Sequence, residues 1–166
     1  TNFLKIRRNS VQSYLTLPFE HWHWDSWKGF YQNIQEEFND GTWDYVPQRN
    51  GGFLGYWWHW NSAKIDDVYF EYYLQLEHTK LCIKIYVEGT KENKYNVRNQ
   101  FRQKLYPLAK KHQIDIYQNG RIGKWMTVAA LSDEYRIKNK SGFVDIKTTI
   151  NQLKKIHNLM DELKFD

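Results

Sequence analysis

Apolar positions recur at helical spacing in three stretches of this chain. Behind Asp25 and Ser26, the residues Trp27, Phe30, Tyr31, Ile34 and Phe38 step by 3, 1, 3 and 4. That is a one-sided stripe with a capping residue in front, and it predicts a helix from about 26 to 39, stopped by Asp40-Gly41. A second helix follows Asn96, with Val97, Phe101, Leu105 and Leu108 stepping by 4, 4 and 3, and Pro107 is expected to kink or end its last turn. The third carries Ile146, Ile150, Leu153, Ile156, Met160 and Leu163 on one face.

Between these stretches the period drops to two. Phe3-Leu4-Lys5-Ile6 and Val11-Gln12-Ser13-Tyr14-Leu15 read as one or two short strands ended by Pro18. Tyr45-Val46 is extended and turns through Asn50-Gly51-Gly52 into Phe53–Trp60, a strand dense in rings. Val68–Glu77 and Leu81–Glu88, joined by His78-Thr79-Lys80, read as a hairpin. In its second strand Leu81, Ile83, Ile85 and Val87 share the core side, while Cys82, Lys84, Tyr86 and Glu88 face solvent or a partner. Ile114 and Ile116 alternate, Asn119-Gly120 turns, and Trp125–Leu131 returns as a further strand. Strands in runs, broken by helices, give an α+β class: an antiparallel sheet of about five strands with three helices packed mainly on one face, one domain over residues 1–166.

Composition narrows the class. The 8 Trp, 12 Tyr and 9 Phe make up 17% of the chain, a load of large apolar groups that excludes intrinsic disorder. No apolar run is long enough for a membrane-spanning helix, so no membrane partner is expected. The first residues carry no apolar leader, and the chain does not begin with Met, which fits the C-terminal part of a longer protein. A single cysteine, Cys82, forms no internal disulfide and no Cys-based zinc site, which suits a reducing cytoplasm. The net charge of +5 leans toward a polyanionic partner.

Catalytic patterns fail on spacing. His21, His23 and Asp25 alternate as strand neighbours that grip a metal would, yet no third close ligand joins the two histidines and a helix begins at once, so no metal or cofactor is expected. Asp66, Asp67, Glu71, Glu77, Lys84 and Glu88 invite comparison with the acid-and-lysine cluster of metal-dependent nucleases. That cluster needs an acid two residues before a lysine on one strand. Glu77 lies three before Lys80 and Glu88 three before Lys91, one too many for a shared strand face. Gly120-Arg121-Ile122-Gly123-Lys124 has two residues between its glycines where a phosphate loop needs four, and reads as a basic hairpin turn. No serine lies in a nucleophile-elbow context. Catalytic residues are therefore not assigned.

Two features point to binding. Lys91, Lys94, Arg98 and Arg102 step by 3, 4 and 4 along the second helix, away from its apolar stripe, and Arg121 and Lys124 add charge nearby; such a face contacts phosphates, against the plainer reading of a solvated helix face. The strand 53–60 sends one of two ring sets outward, Tyr56, Trp58 and Trp60 or else Trp57 with His59. Outward rings stack on bases or sugars, or anchor a partner protein.

Four segments together, Trp27–Tyr31, Tyr45–Trp58, Leu81–Ile85 and Gly120–Ala129, resemble the C-terminal region of bacterial proteins whose N-terminal part is assigned to the PD-(D/E)XK nuclease-like superfamily. The resemblance covers roughly residues 22 to 164 and rests on structural positions rather than catalytic ones. It implies a bacterial, cytoplasmic accessory domain in restriction or phage defence whose nuclease signature lies outside this chain, and it assigns no site residue. Three readings stand at this point. The first is a non-catalytic module binding DNA or RNA through Lys94, Arg98, Arg102, Arg121 and Lys124, beside an upstream nuclease domain. The second is a protein-interaction or oligomerisation domain anchored by Trp58 and Trp60. The third, an intact small nuclease, requires cleavage that depends on a divalent metal.

Overall fold

A computed structural model describes residues 2, 5 and 10–165. The three apolar stripes form helices: α1 over Trp24–Phe38, α2 over Lys91–Lys111 and α3 over Ile146–Asp161. Six strands, β1 (Thr42–Val46), β2 (Phe53–Ile65), β3 (Val68–Leu76), β4 (Leu81–Val87), β5 (Ile116–Gln118) and β6 (Trp125–Leu131), make one antiparallel sheet in the order β1-β2-β3-β4-β6-β5. The α+β class and the one-sided packing are as the sequence predicts. One strand more is present, because Thr42–Val46 pairs along Phe53–Trp57 as an edge strand.

All three helices lie against one face of the sheet. Leu54, Tyr56, Trp58, Leu74, Leu76, Ile83 and Ile85 from the strands meet Phe30, Tyr31 and Ile34 of α1, Val97, Phe101 and Leu105 of α2, and Leu153 and Ile156 of α3 in one buried cluster. Rings fill much of it. Tyr31 stacks on Tyr56 at 5.6 Å and gives its hydroxyl proton to the Leu54 carbonyl at 2.6 Å, while Phe70 meets Phe101 edge-on at 6.1 Å. A buried phenol with a partner costs little, which lets tyrosine serve here as a core residue.

Local chemistry moved several boundaries. Val11–Leu15 does not extend: Gln12–Leu15 is a turn of 3-10 helix, because the Ser13 carbonyl accepts from the N–H groups of both Thr16 and Leu17. The Ser13 hydroxyl also donates to the Ser10 carbonyl, and such side-chain bonds to nearby backbone compete with strand pairing. The other half of that N-terminal expectation, Phe3, Leu4 and Ile6, lies outside the described residues. Helix α1 begins at Trp24 rather than at 26, with the His23 N–H donating to Ser26 Oγ at 3.3 Å, and ends on Asn39 in the left-handed region. Helix α2 starts at Lys91, before its apolar stripe, because Thr90 Oγ1 accepts the Asn93 N–H at 3.1 Å and caps a polar first turn. It also runs through Pro107 to Lys111. Pro107 and Gln103 are exposed, so the carbonyl that the proline leaves unpaired is solvated.

The 3-10 turn is seated on α1 through Gly29. A Cβ at Gly29 would stand 1.8 Å from the Val11 carbonyl oxygen. Gly→Ala inside a helix ordinarily stabilises by about 1 kcal/mol. Here Gly29→Ala is expected to reverse that sign and cost about 1–3 kcal/mol through overpacking, measured as the urea midpoint. A variant as stable as the parent would show that the segment does not dock there.

Two backbone irregularities shape the long strand β2. Asp66 and Asp67, both at positive φ (49° and 63°), are the central residues of the turn joining β2 to β3. Midway along β2, Trp58 pairs with Leu74 and Asn61 with Tyr72, so His59 and Trp60 together oppose Tyr73. This is a β-bulge, with His59 at φ 57°. It changes the parity of the strand: Leu54, Tyr56 and Trp58 face the helices before it, Ala63 and Ile65 after it.

Candidate functional site

The face of the sheet away from the helices carries the site. Strand alternation sends Trp57 there from β2, and the bulge then sends Trp60 rather than His59. Tyr73 and Gln75 of β3, Lys84 and Tyr86 of β4, and Trp125 and Thr127 of β6 arrive by register. Val46, Gln48, Phe53, Trp57, Trp60, Tyr73, Gln75, Lys84, Trp125 and Thr127 surround a groove of about 570 Å³ that is open to solvent.

Its rings are held in fixed attitudes. Trp60 lies parallel on Tyr73, centroids 3.9 Å apart and planes within 1°, and its indole N–H donates to Glu71 Oε1 at 3.1 Å. Trp125 stands edge-on to both, at 6.5 Å from Trp60 and 6.4 Å from Tyr73, and leans on Tyr86 at 4.2 Å. Trp57 lies across Gly55, where a Cβ would approach its indole to 2.8 Å, and donates its N–H to Gln75 Oε1 at 2.8 Å. Glycine is needed at 55 so that the ring can lie flat on the backbone. Trp60 and Trp125 remain 46% and 54% exposed, the open surface of this aromatic floor.

Charges flank the rings. Lys84 Nζ donates to Thr127 Oγ1 at 3.1 Å, and burial pulls its pKa below the usual lysine range, partly offset by Cys82 and Glu77. Lys124 pairs with Glu88 at 3.0 Å and sits 5.3 Å over the Tyr86 ring. Cys82, under the same face, is buried and its thiol is pushed up to about 12, by burial first and then by Glu77, so it holds no thiolate at neutral pH. This arrangement stacks a planar ligand and offers a few hydrogen bonds and cations.

The residues singled out by sequence divide. Trp60 is on the open face, but Trp58, 1% exposed, is in the core and is corrected as an interaction residue. The stripe on α2 does not form a free cationic face. Arg98 is buried, lies 5.5 Å over the Tyr95 ring and donates to the Gly120 carbonyl at 3.3 Å. Arg102 donates to the Val128 carbonyl at 2.9 Å and the Asn119 carbonyl at 3.3 Å. Both tie α2 to the β5–β6 hairpin, whose turn exposes backbone oxygens that long guanidinium side chains reach. Lys94 is half-buried on α2, Arg121 is exposed in the loop before β6, and Lys124 is exposed beside the aromatic face.

The acids examined as a nuclease cluster are dispersed. Asp66 accepts from Asn96 at 2.9 Å and Gln100 at 2.7 Å, bonds that hold its carboxyl below the usual range. Glu71, Glu77 and Glu88 bind Trp60, Cys82 and Lys124 in turn. His23 approaches Ser13 Oγ at 3.4 Å and Asp25 accepts from Ser10 at 2.7 Å, so His21, His23 and Asp25 do not converge. Tyr73 and Trp125 were missing from the sequence-derived site, and Trp57 stood there only in the alternate ring set with His59. The one signal for Tyr73 and Trp125 was the alternation of β3 and β6, which predicts an outward ring but not which neighbours it meets.

Comparison of the chain with protein families, with characterised proteins and with solved structures finds no match.

Proposed function

We propose that this domain is a non-catalytic nucleic-acid-binding module that lays a single strand across the helix-free face of its sheet. The observation that carries the reading is the parallel-stacked Trp60–Tyr73 pair, its outer ring half exposed, with Trp125 set edge-on beside it. Bases offer a π-face whatever their sequence, and stacking on an aromatic side chain contributes about 1–3 kcal/mol per base. Lys84 and Lys124 stand within the same face to meet phosphates, while Gln48 and Gln75 offer amides to base edges. The paired acids nearby keep the face from being a general polyanion trap, so recognition leans on rings more than on charge. Extending the sequence resemblance, such a face in a longer bacterial cytoplasmic protein would hold a strand for a nuclease-like domain upstream.

Fluorescence anisotropy with a labelled oligothymidylate of about ten nucleotides tests this. Trp60→Ala and Trp125→Ala are each expected to weaken binding roughly tenfold or more with unchanged far-UV circular dichroism. Two phosphate contacts at about 0.7 each give a shallow salt slope of about −1.4. Equal binding by variants and parent, or none by the parent at low salt, would defeat the reading. A dimer that dissociates on dilution and is lost in Trp60→Ala would turn the same face into an oligomerisation surface.

A further inference from the structure

A second cluster lies on the helix side, where α3 ends against the β2 bulge. His157 and Asp161, four residues apart, stand one above the other on a single face of α3. Without the bulge, His59 would follow Trp57 onto the open face. Its positive φ, uncommon for a residue with a side chain, instead turns the ring under α3, where it is 8% exposed. The ring is held from behind. The His59 N–H donates to Asp40 Oδ2 at 2.8 Å, and Nδ1 faces the Asn61 amide at 2.9 Å, which leaves Nε2 as the atom presented to the cluster.

The donor atoms converge. His59 Nε2 is 2.6 Å from Asp161 Oδ1, His157 Nε2 is 3.7 Å from Asp161 Oδ2, and one donor atom from each residue lies within 4.8 Å of the other two. His157 is stacked on Phe38 at 5.1 Å and meets His59 edge-on at 4.6 Å. Yet Nε2, the ring atom that faces the cluster, is beyond hydrogen-bond reach of Asp161. A simple His59–Asp161 pair accounts for one imidazole and leaves the other unexplained.

We infer that His59, His157 and Asp161 form a binding site for one divalent transition-metal ion of the zinc class, clamping the last turn of α3 to the bulge of β2. Zinc bound at about 2.0–2.1 Å places tetrahedral ligand atoms about 3.3 Å apart. The two histidine–aspartate separations, 2.6 Å to one carboxylate oxygen and 3.7 Å to the other, lie on either side of that spacing, and all three donors lie within 4.8 Å of one another, so side-chain rotations bring them onto one ion. Two imidazoles and a carboxylate favour zinc, cobalt or nickel over magnesium and calcium, which require oxygen shells. Asp161 is 57% exposed, so water completes the coordination. Asn61, behind Nδ1, and Asp40, on the His59 backbone, hold the ring in place as supporting groups around metal sites do.

Calorimetric titration of the metal-free full chain with zinc chloride, followed by cobalt absorption spectroscopy, tests the site. One equivalent of zinc should bind, cobalt should show the visible bands of a four-coordinate ion, and a hundredfold excess over Kd should raise Tm by about 5 °C or more. His59→Ala disturbs a strained bulge as well as the site, so the deciding variants are His157→Gln and Asp161→Asn, both at the end of α3. Each should lower zinc affinity at least tenfold with circular dichroism unchanged. No zinc uptake at about 100 µM, equal uptake by parent and variants, or equal uptake of magnesium would overturn the assignment.

Discussion

Trp58→Ala is expected to lower the unfolding free energy by about 3–5 kcal/mol, read from urea denaturation at constant slope. Trp58 is among the largest fully buried side chains and packs between Phe38 at 5.7 Å and Tyr56 at 5.5 Å, at the junction of β2 with α1. Truncation removes its burial and leaves a void that neighbouring rings, fixed by their own contacts, cannot collapse to fill. The indole also carries a cost of its own, since Nε1 is buried without an acceptor. Trp58→Phe removes that unpaired donor along with part of the volume and should cost clearly less than the alanine variant. Trp60→Ala, two residues along, gives up a ring stack, an edge contact with Trp125 and an exposed hydrogen bond to Glu71 on a solvated surface, and should cost about 1–2 kcal/mol. Equal losses for Trp58→Ala and Trp60→Ala would mean that the bulge does not separate the two indoles onto opposite faces.

Glu134→Gln carries the second large effect, an expected loss of about 3 kcal/mol by the same measurement. Its target is Arg136, whose side chain is fully enclosed and lies over Phe19 at 3.4 Å and Trp27 at 4.9 Å. Glu134 Oε1 stands 2.6 Å from Arg136 Nη2 but off the donor direction, so charge rather than an aligned hydrogen bond joins them, and the rings supply the rest of the cation's surroundings. Burial already pulls the guanidinium below the usual arginine range. Neutralising Glu134 leaves a buried cation with rings alone for partners, whereas replacing both groups removes the desolvation penalty with the pair. The double variant Glu134→Gln/Arg136→Met should therefore recover to within about 1–2 kcal/mol of the parent. Additive losses in the double variant would show that Arg136 acts by packing and not as a paired charge.

Periodicity was readable wherever one element met one face. The stripes of α1, α2 and α3 predicted the buried sides, and Leu81, Ile83, Ile85 and Val87 of β4 turned inward with Lys84 and Tyr86 outward, as alternation requires. Half of the site was therefore accessible from sequence: an aromatic strand with one outward set, beside a hairpin with an outward lysine. The bulge was not, because its cause is remote. Asp40 grips the His59 N–H from nineteen positions away, and no local residue type announces the extra residue. Two regular ring sets, Tyr56/Trp58/Trp60 and Trp57/His59, were thereby recombined into Trp57 and Trp60 outward with Tyr56, Trp58 and His59 inward. The arginines of α2 misled for a related reason. Their spacing away from the apolar stripe describes the helix alone, while their burial follows from the β5–β6 turn that comes to rest beside them.

The eight tryptophans make the central proposal directly observable through their indole N–H resonances. In an isotope-labelled sample titrated with oligothymidylate, the indole signals of Trp57, Trp60 and Trp125 should shift together and saturate with one apparent affinity. Those of Trp27 and Trp58, buried on the helix side, should stay in place. Shifts confined to backbone signals of α2 and the 119–124 loop, or no shift at any indole, would contradict a strand held on the open aromatic face.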